Sequence, residues 1–157
     1  VDIDYWGLIM NKNIREINIL LIEDNPGDVR LTEEALKEGV YSYNLEVVSN
    51  GEEALKYLLR EEGYENAQEP DIIFLDLNLP RKDGREVLSE IKNSPRVKHI
   101  PIVVLTTSEA EPDIINTYQL HANCYITKPV DINRFIEVIR GIEYFWFNIV
   151  TLPSYTR

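Results

Sequence analysis

The chain has 157 residues, 44% of them apolar, which suits one ordinary domain with a real core and excludes a disordered chain. Against 16 basic residues stand 27 acidic ones, a formal charge of -11 with no basic run, which excludes a nucleic-acid surface. The single cysteine, Cys124, excludes an internal disulfide or a cysteine-based metal site, and no apolar run approaches the roughly 18 residues of a membrane span.

No basic stretch followed by an apolar one opens the chain, so no signal peptide is expected, and a cytoplasmic setting fits the cysteine usage. The only methionine, Met10, offers a natural start, with residues 1–9 then foreign to the natural chain. The expected layout is an N-terminal extension over 1–15, one domain over 16–148 and a tail over 149–157.

The run INILLI (17–22) reads as a strand buried on both faces. A helix over 26–38 follows, with Pro26 in its first turn and Gly39 at its stop. Residues 45–48 form a short second strand. Ala54, Leu55, Leu58 and Leu59 then recur at helical spacing within 51–60, and the polar stretch 61–70 is a loop. IIFL (72–75) is the third strand, 84–92 the third helix, 102–105 the fourth strand and 111–120 the fourth helix. A short fifth strand spans 124–126, and Asp131 caps the fifth helix. Strand then helix, five times, predicts an α/β fold with a parallel sheet covered on both faces.

The fifth helix is apolar around much of its end. Ile132, Phe135, Ile136, Ile139, Ile142 and Trp146 make a core stripe, whereas Val138, Phe145, Phe147, Ile149 and Val150 fall beside or outside it. Either the tail folds back on its own domain or the helix pairs with a second copy. The second reading makes Phe145, Trp146, Phe147 and Ile149 the interface.

The strand ends carry the chemistry. The first is followed by Glu23 and Asp24, the third by Asp76; the fourth ends at Thr106 and the fifth at Thr127 and Lys128. In an open parallel sheet these ends share one crevice. Three carboxylates there need a cation, and an all-oxygen donor set suits a hard divalent ion such as Mg²⁺. An aspartate can act as a nucleophile and form an acyl phosphate, with metal, Lys128 and the Thr106 hydroxyl neutralising the phosphoryl oxygens. Each piece alone is weak: an acidic pair after a strand is more often a solvated loop or a helix cap.

Together, LLIEDNPGD (20–28), IIFLDLNLPRKDG (72–84), IPIVVLTTS (100–108) and YITKP (125–129) make the chain resemble the receiver domain of two-component response regulators. The resemblance implies a doubly wound sheet in the order 2-1-3-4-5. It implies that Glu23 and Asp24, with Asp76 and the Asn78 backbone carbonyl, hold Mg²⁺, and that Asp76 accepts a phosphoryl group from a sensor histidine kinase. Thr106 and Lys128 would contact that group, and Thr106 with Tyr125 would form the switch acting on the helix 4–strand 5–helix 5 face, where homodimerisation is also expected. The phrases LHANCYITKP (120–129) and GIEYFWFNIVTLPSY (141–155) resemble small regulators that serve bacterial, notably cyanobacterial, phytochrome kinases.

Some positions depart from the family's pattern. Thr107 replaces a common small residue, and His121 a common glycine; a helix-end His121 would take a left-handed backbone. His99 and His121 read as structural or surface residues. Ser108 and Asn78 stand where the family tunes dephosphorylation. The alternatives are a receiver serving a non-phytochrome kinase, a receiver that only mediates protein contacts, and a Mg²⁺-dependent aspartyl-phosphate phosphatase. The phosphatase would need an acid at position 78, where asparagine stands. A nucleotide-binding module is a poorer match, since the first loop is acidic and carries one glycine.

Overall fold

Residues 16–153 are described by the structure, a computed structural model. The expectations for residues 1–15 and for 154–157 of the tail lie outside them. Strands and helices alternate as β1 (Ile17–Ile22), α1 (Pro26–Lys37), β2 (Tyr43–Val48), α2 (Gly51–Leu58), β3 (Ile72–Leu75), α3 (Gly84–Asn93), β4 (Ile102–Thr106), α4 (Glu111–Gln119), β5 (Cys124–Thr127) and α5 (Ile132–Tyr144). A π-helical turn, Phe145–Ile149, extends α5. The sheet is parallel throughout, in the order β2-β1-β3-β4-β5, as expected.

Two apolar layers explain the continuous hydrophobic runs. Leu20, Ile22, Ile73, Leu75, Ile102 and Val104 face a core shared with α2 and α3. Their alternates Ile19, Leu21, Ile72, Phe74, Val103 and Leu105 face α1 and α5. Every residue of β1, β3 and β4 is buried, because each has a helix layer on both faces. The edge strands β2 and β5 are only partly covered.

Side-chain caps start four of the helices. Asn25 accepts from the Gly27 and Asp28 amides, Asn50 from Glu53, Asp83 from Arg85, and Asp131 from Arg134, the last as expected. Ala110 gives α4 no such cap. His121 takes the left-handed backbone expected of it, with φ at 70°.

The end of α5 departs from the expected stripe. Phe135, Ile139 and Ile142 are buried, but Ile132, the first residue of the helix, is 59% exposed. Phe147, expected on an outer interface, is buried and meets the Tyr41 ring edge-on at 5.8 Å. The reason is the π-helical turn. The Val150 amide bonds the Phe145 carbonyl, five residues back, at 3.0 Å, and the extra residue per turn rotates Phe147 inward. Leu152 is buried as well, so the tail folds back on its own domain as far as the description reaches. Phe145 and Ile149 stay exposed and Trp146 is half-buried.

Candidate functional site

The sheet ladder delivers the site residues. One more backbone bond continues each strand past its end: Glu23 N–H to the Val48 carbonyl at 3.0 Å, Asp76 N–H to the Ile22 carbonyl at 3.0 Å, and Lys128 N–H to the Thr106 carbonyl at 2.7 Å. The backbones of these three residues are therefore as fixed as the sheet itself. Because β1 has β2 on one side and β3 on the other, the crevice opens at the topological switch point.

The Asp76 carboxylate is 8% exposed, Glu23 3% and Lys128 7%. The Lys128 ammonium is the hub. It donates to Glu23, to Asp28 Oδ2 at 2.9 Å and to Asp76 Oδ2 at 3.3 Å. Burial opposes its charge, but the three carboxylates outweigh burial and hold its pKa above the ordinary value. Burial, reinforced by the nearby Asp76, pushes the Glu23 carboxyl up to about 7 against the pull of Lys128. One ammonium does not balance this much buried acid.

The pocket therefore fits a cation. Oxygens of Glu23, Asp24 and Asp76 lie within 4.8 Å of one another, a hard donor set of the kind Mg²⁺ or Mn²⁺ takes. Asp24 is exposed on the open side, which leaves room for water and phosphate oxygens. Asp76 Oδ1 accepts the Asn78 amide at 3.3 Å. Thr106 is fully buried, and its hydroxyl has no hydrogen-bond partner among the described residues. A buried orphan donor at the crevice is a site for an incoming anionic oxygen.

A close approach forms the floor. A Cβ on Gly84 would lie 2.4 Å from the Asp76 carbonyl oxygen and 2.5 Å from the Leu77 Cα, both backbone atoms that cannot give way. Glycine at the start of α3 thus lets that helix abut the strand end, and its amide bonds the Leu77 carbonyl at 2.9 Å. Tyr125 is half-buried, and its hydroxyl donates to the Ser108 carbonyl at 2.8 Å, which ties β5 to the loop after Thr106. Thr107 is exposed. His99 and His121 stand apart from this cluster: His99 Nε2 lies 3.7 Å from Glu69, and His121 follows the Leu120 C-cap of α4.

Asp28 was missed in the sequence. Its signal is the third acid of EDNPGD, in the first turn of α1, but its tie to Lys128 spans 100 residues and leaves no local pattern.

Comparison with known proteins agrees with this architecture. Residues 19–140 match the response regulator receiver domain family. The response regulator Rcp1 of Synechocystis sp. is 48% identical over 136 residues, covering 87% of this chain and 92% of that protein. The crystal structure of the phosphorylated cyanobacterial phytochrome response regulator RcpA superposes with a TM-score of 0.87 at 50% identity, covering 89% of this chain and all of that one. The Mn²⁺-bound form of Rcp1 gives 0.85 at 48% identity, covering 87% and 99%. The chain belongs to the response regulator receiver family, a family of signalling proteins. Among the described residues no helix is long and apolar enough to cross a membrane.

Proposed function

We propose that the chain accepts a phosphoryl group on Asp76 from the phosphohistidine of a sensor kinase of phytochrome type, and relays the change through the α4–β5–α5 face. The observation that carries this reading is the Lys128 ammonium held against Glu23, Asp28 and Asp76 beside the orphan Thr106 hydroxyl.

An Asp76 carboxylate oxygen attacks phosphorus, the N–P bond of the phosphohistidine breaks, and the imidazole leaves with its electron pair and takes up a proton. Glu23, Asp24, Asp76 and the Asn78 backbone carbonyl would hold the divalent ion, read here as Mg²⁺. When bound, that ion offsets the negative charge of the phosphoryl oxygens. Lys128 then pairs with a phosphoryl oxygen in place of Asp76, and the Thr106 hydroxyl donates to another. Movement of Thr106 alters the space beside Tyr125, so a charge event in the crevice reaches the surface. Water attack on the acyl phosphate resets the chain. The reading puts the protein in the cytoplasm, with the kinase as its partner.

Self-association fits the same face. Tyr144, Phe145 and Ile149 are 55%, 47% and 57% exposed at the end of α5, and Ile115 and Tyr118 are 49% and 48% exposed on α4. Exposed aromatic and aliphatic groups at this density favour a homodimer.

The test is phosphotransfer from an autophosphorylated phytochrome-type histidine kinase to wild type and to Asp76→Asn. Rapid transfer to wild type alone is expected. No transfer from such a kinase, with transfer from an unrelated one, would replace the phytochrome assignment and leave the receiver assignment standing.

A further inference from the structure

The loop between β4 and α4 is held by a polar cluster whose charged members, Arg85 and Asp113, the phosphoryl chemistry does not use. Ser108 Oγ donates to Asp113 Oδ2 at 2.6 Å. The other oxygen of that carboxylate, Oδ1, takes both Arg85 Nε at 3.1 Å and Arg85 Nη2 at 2.8 Å. Arg85 is fixed in turn, since its Nη1 lies 3.0 Å from Asp83, the N-cap of α3. Both members of the central pair are about three-quarters covered, with side chains 26% and 27% exposed. Hydrogen bonds from Ser108 and then Arg85 hold the Asp113 carboxyl below its ordinary value. The guanidinium, though burial opposes its charge, is held above its own by Asp113 and Asp83.

The N-terminal half of the helix this cluster grips has little else to locate it. Thr117 is the one buried residue of α4, and Ala110 supplies no side-chain cap. Ser108 Oγ instead accepts the Ala110 amide at 3.4 Å. The second tie is at the other end, where the Tyr118 hydroxyl accepts the Tyr125 amide at 3.1 Å. Its apolar anchor, Leu120 at the C-cap, packs on the core at the far end, so the N-terminal end of α4 takes its position from polar ties. Ser108 links the first of these ties to β5: its hydroxyl reaches Asp113, and its carbonyl accepts the Tyr125 hydroxyl at 2.8 Å.

We propose that Arg85, Asp113 and Ser108 form a latch that fixes the β4–α4 loop in the arrangement where Tyr125 bonds Ser108 and Thr106 stands ready for the phosphoryl group. This rests on the receiver reading above. Arg85 and Asp113 are positioning residues, and neither touches the reacting atoms. With the latch intact, α3 and α4 move as one body at the crevice mouth. With it broken, the loop samples other arrangements, and the fraction competent to accept the group falls.

The experiment compares wild type, Arg85→Met, Asp113→Asn, the double variant and Arg85→Lys, with acetyl phosphate and Mg²⁺ and with intact mass as the readout. Each single variant to Met or Asn is expected to label about fivefold more slowly, the low end of ordinary coupling between sites. The double variant should be no slower than either single, because one latch is lost once. Arg85→Lys, which keeps the charge but not the fork, should recover part of the rate. Thermal midpoint and Mg²⁺ affinity should hold, while the Ser108 and Tyr125 amide resonances shift and those of Leu20 and Ile73 in the core do not. Variants that label at the wild-type rate, losses that multiply in the double, or a loss matched by weaker Mg²⁺ binding would each overturn the latch. A wild type that takes no label overturns the receiver reading and the latch with it. A wild type that labels beside unchanged variants overturns the latch alone.

Discussion

The crevice at the strand ends and the seam between α1 and α5 each bury a glutamate, and they treat it in opposite ways. Glu23 is 3% exposed and Glu143 is 4% exposed, and burial raises both carboxyls to about 7. At the crevice the fold supplies an ammonium, three further carboxylates (Asp24, Asp28 and Asp76) and an open side, so the charge is held ready for chemistry. At the seam, Glu143 lies against the Cα of Gly39, where a Cβ would fall 2.1 Å from Oε1, and Oε2 has no partner among the described residues. Arg140, the one cation acting on it among the described residues, reaches away to Glu38 at 2.8 Å. The lesson is that desolvation alone does not mark a site; desolvation with an opposed charge and an opening does.

The largest effect is expected from making the crevice resemble the seam. Lys128→Met leaves Glu23, Asp28 and Asp76 without their ammonium. Labelling of Asp76 should fall by about 10²–10³-fold, the usual loss for one charge-stabilising donor. Stopped-flow rates with acetyl phosphate and Mg²⁺ would measure it, and a loss under tenfold would make Lys128 structural.

The next largest effect lies at the seam. In the fold the Glu143 carboxyl keeps its proton to about pH 7, whereas unfolded it loses it near its ordinary 4.5. Between those values the folded state binds more protons, so this group's contribution favours folding at low pH and is lost as pH rises through the window. Glu143→Gln should abolish that slope and gain at most about 3 kcal/mol above pH 7 relative to wild type. Urea unfolding at pH 5, 6, 7 and 8 checks it; parallel curves for the two proteins would show that Glu143 ionises freely.

The smallest effect concerns the outer surface of the same helix. Phe145→Ser with Ile149→Ser should weaken self-association by about tenfold and leave Asp76 labelling unchanged, since only exposed area is lost. Sedimentation equilibrium would show it. The same pair of changes leaving the association constant intact would move the dimer elsewhere.

Much of this architecture was legible. β1, β3 and β4 were plain because a strand buried on both faces must be apolar throughout. β2 was read two residues short: Tyr43 and Asn44 lack the apolar pattern, but backbone pairing with Ile17 and Asn18 makes them strand. The strand-end residues Glu23, Asp76 and Lys128 could be read as neighbours because a parallel sheet brings its carboxyl ends together. Asp28 and the Arg85–Asp113 pair could not, since both depend on where a helix face lands after a long crossover. Phe147 was misread because helical periodicity assumes 3.6 residues per turn, and a π-helical turn breaks that count.

Intact mass after acetyl phosphate, with and without Mg²⁺, on wild type and Asp76→Asn decides whether Asp76 is the phosphoryl acceptor. One added phosphoryl group is expected on wild type, dependent on Mg²⁺ and missing from the variant. Full labelling of Asp76→Asn, or none of wild type with Mg²⁺ present, would contradict it.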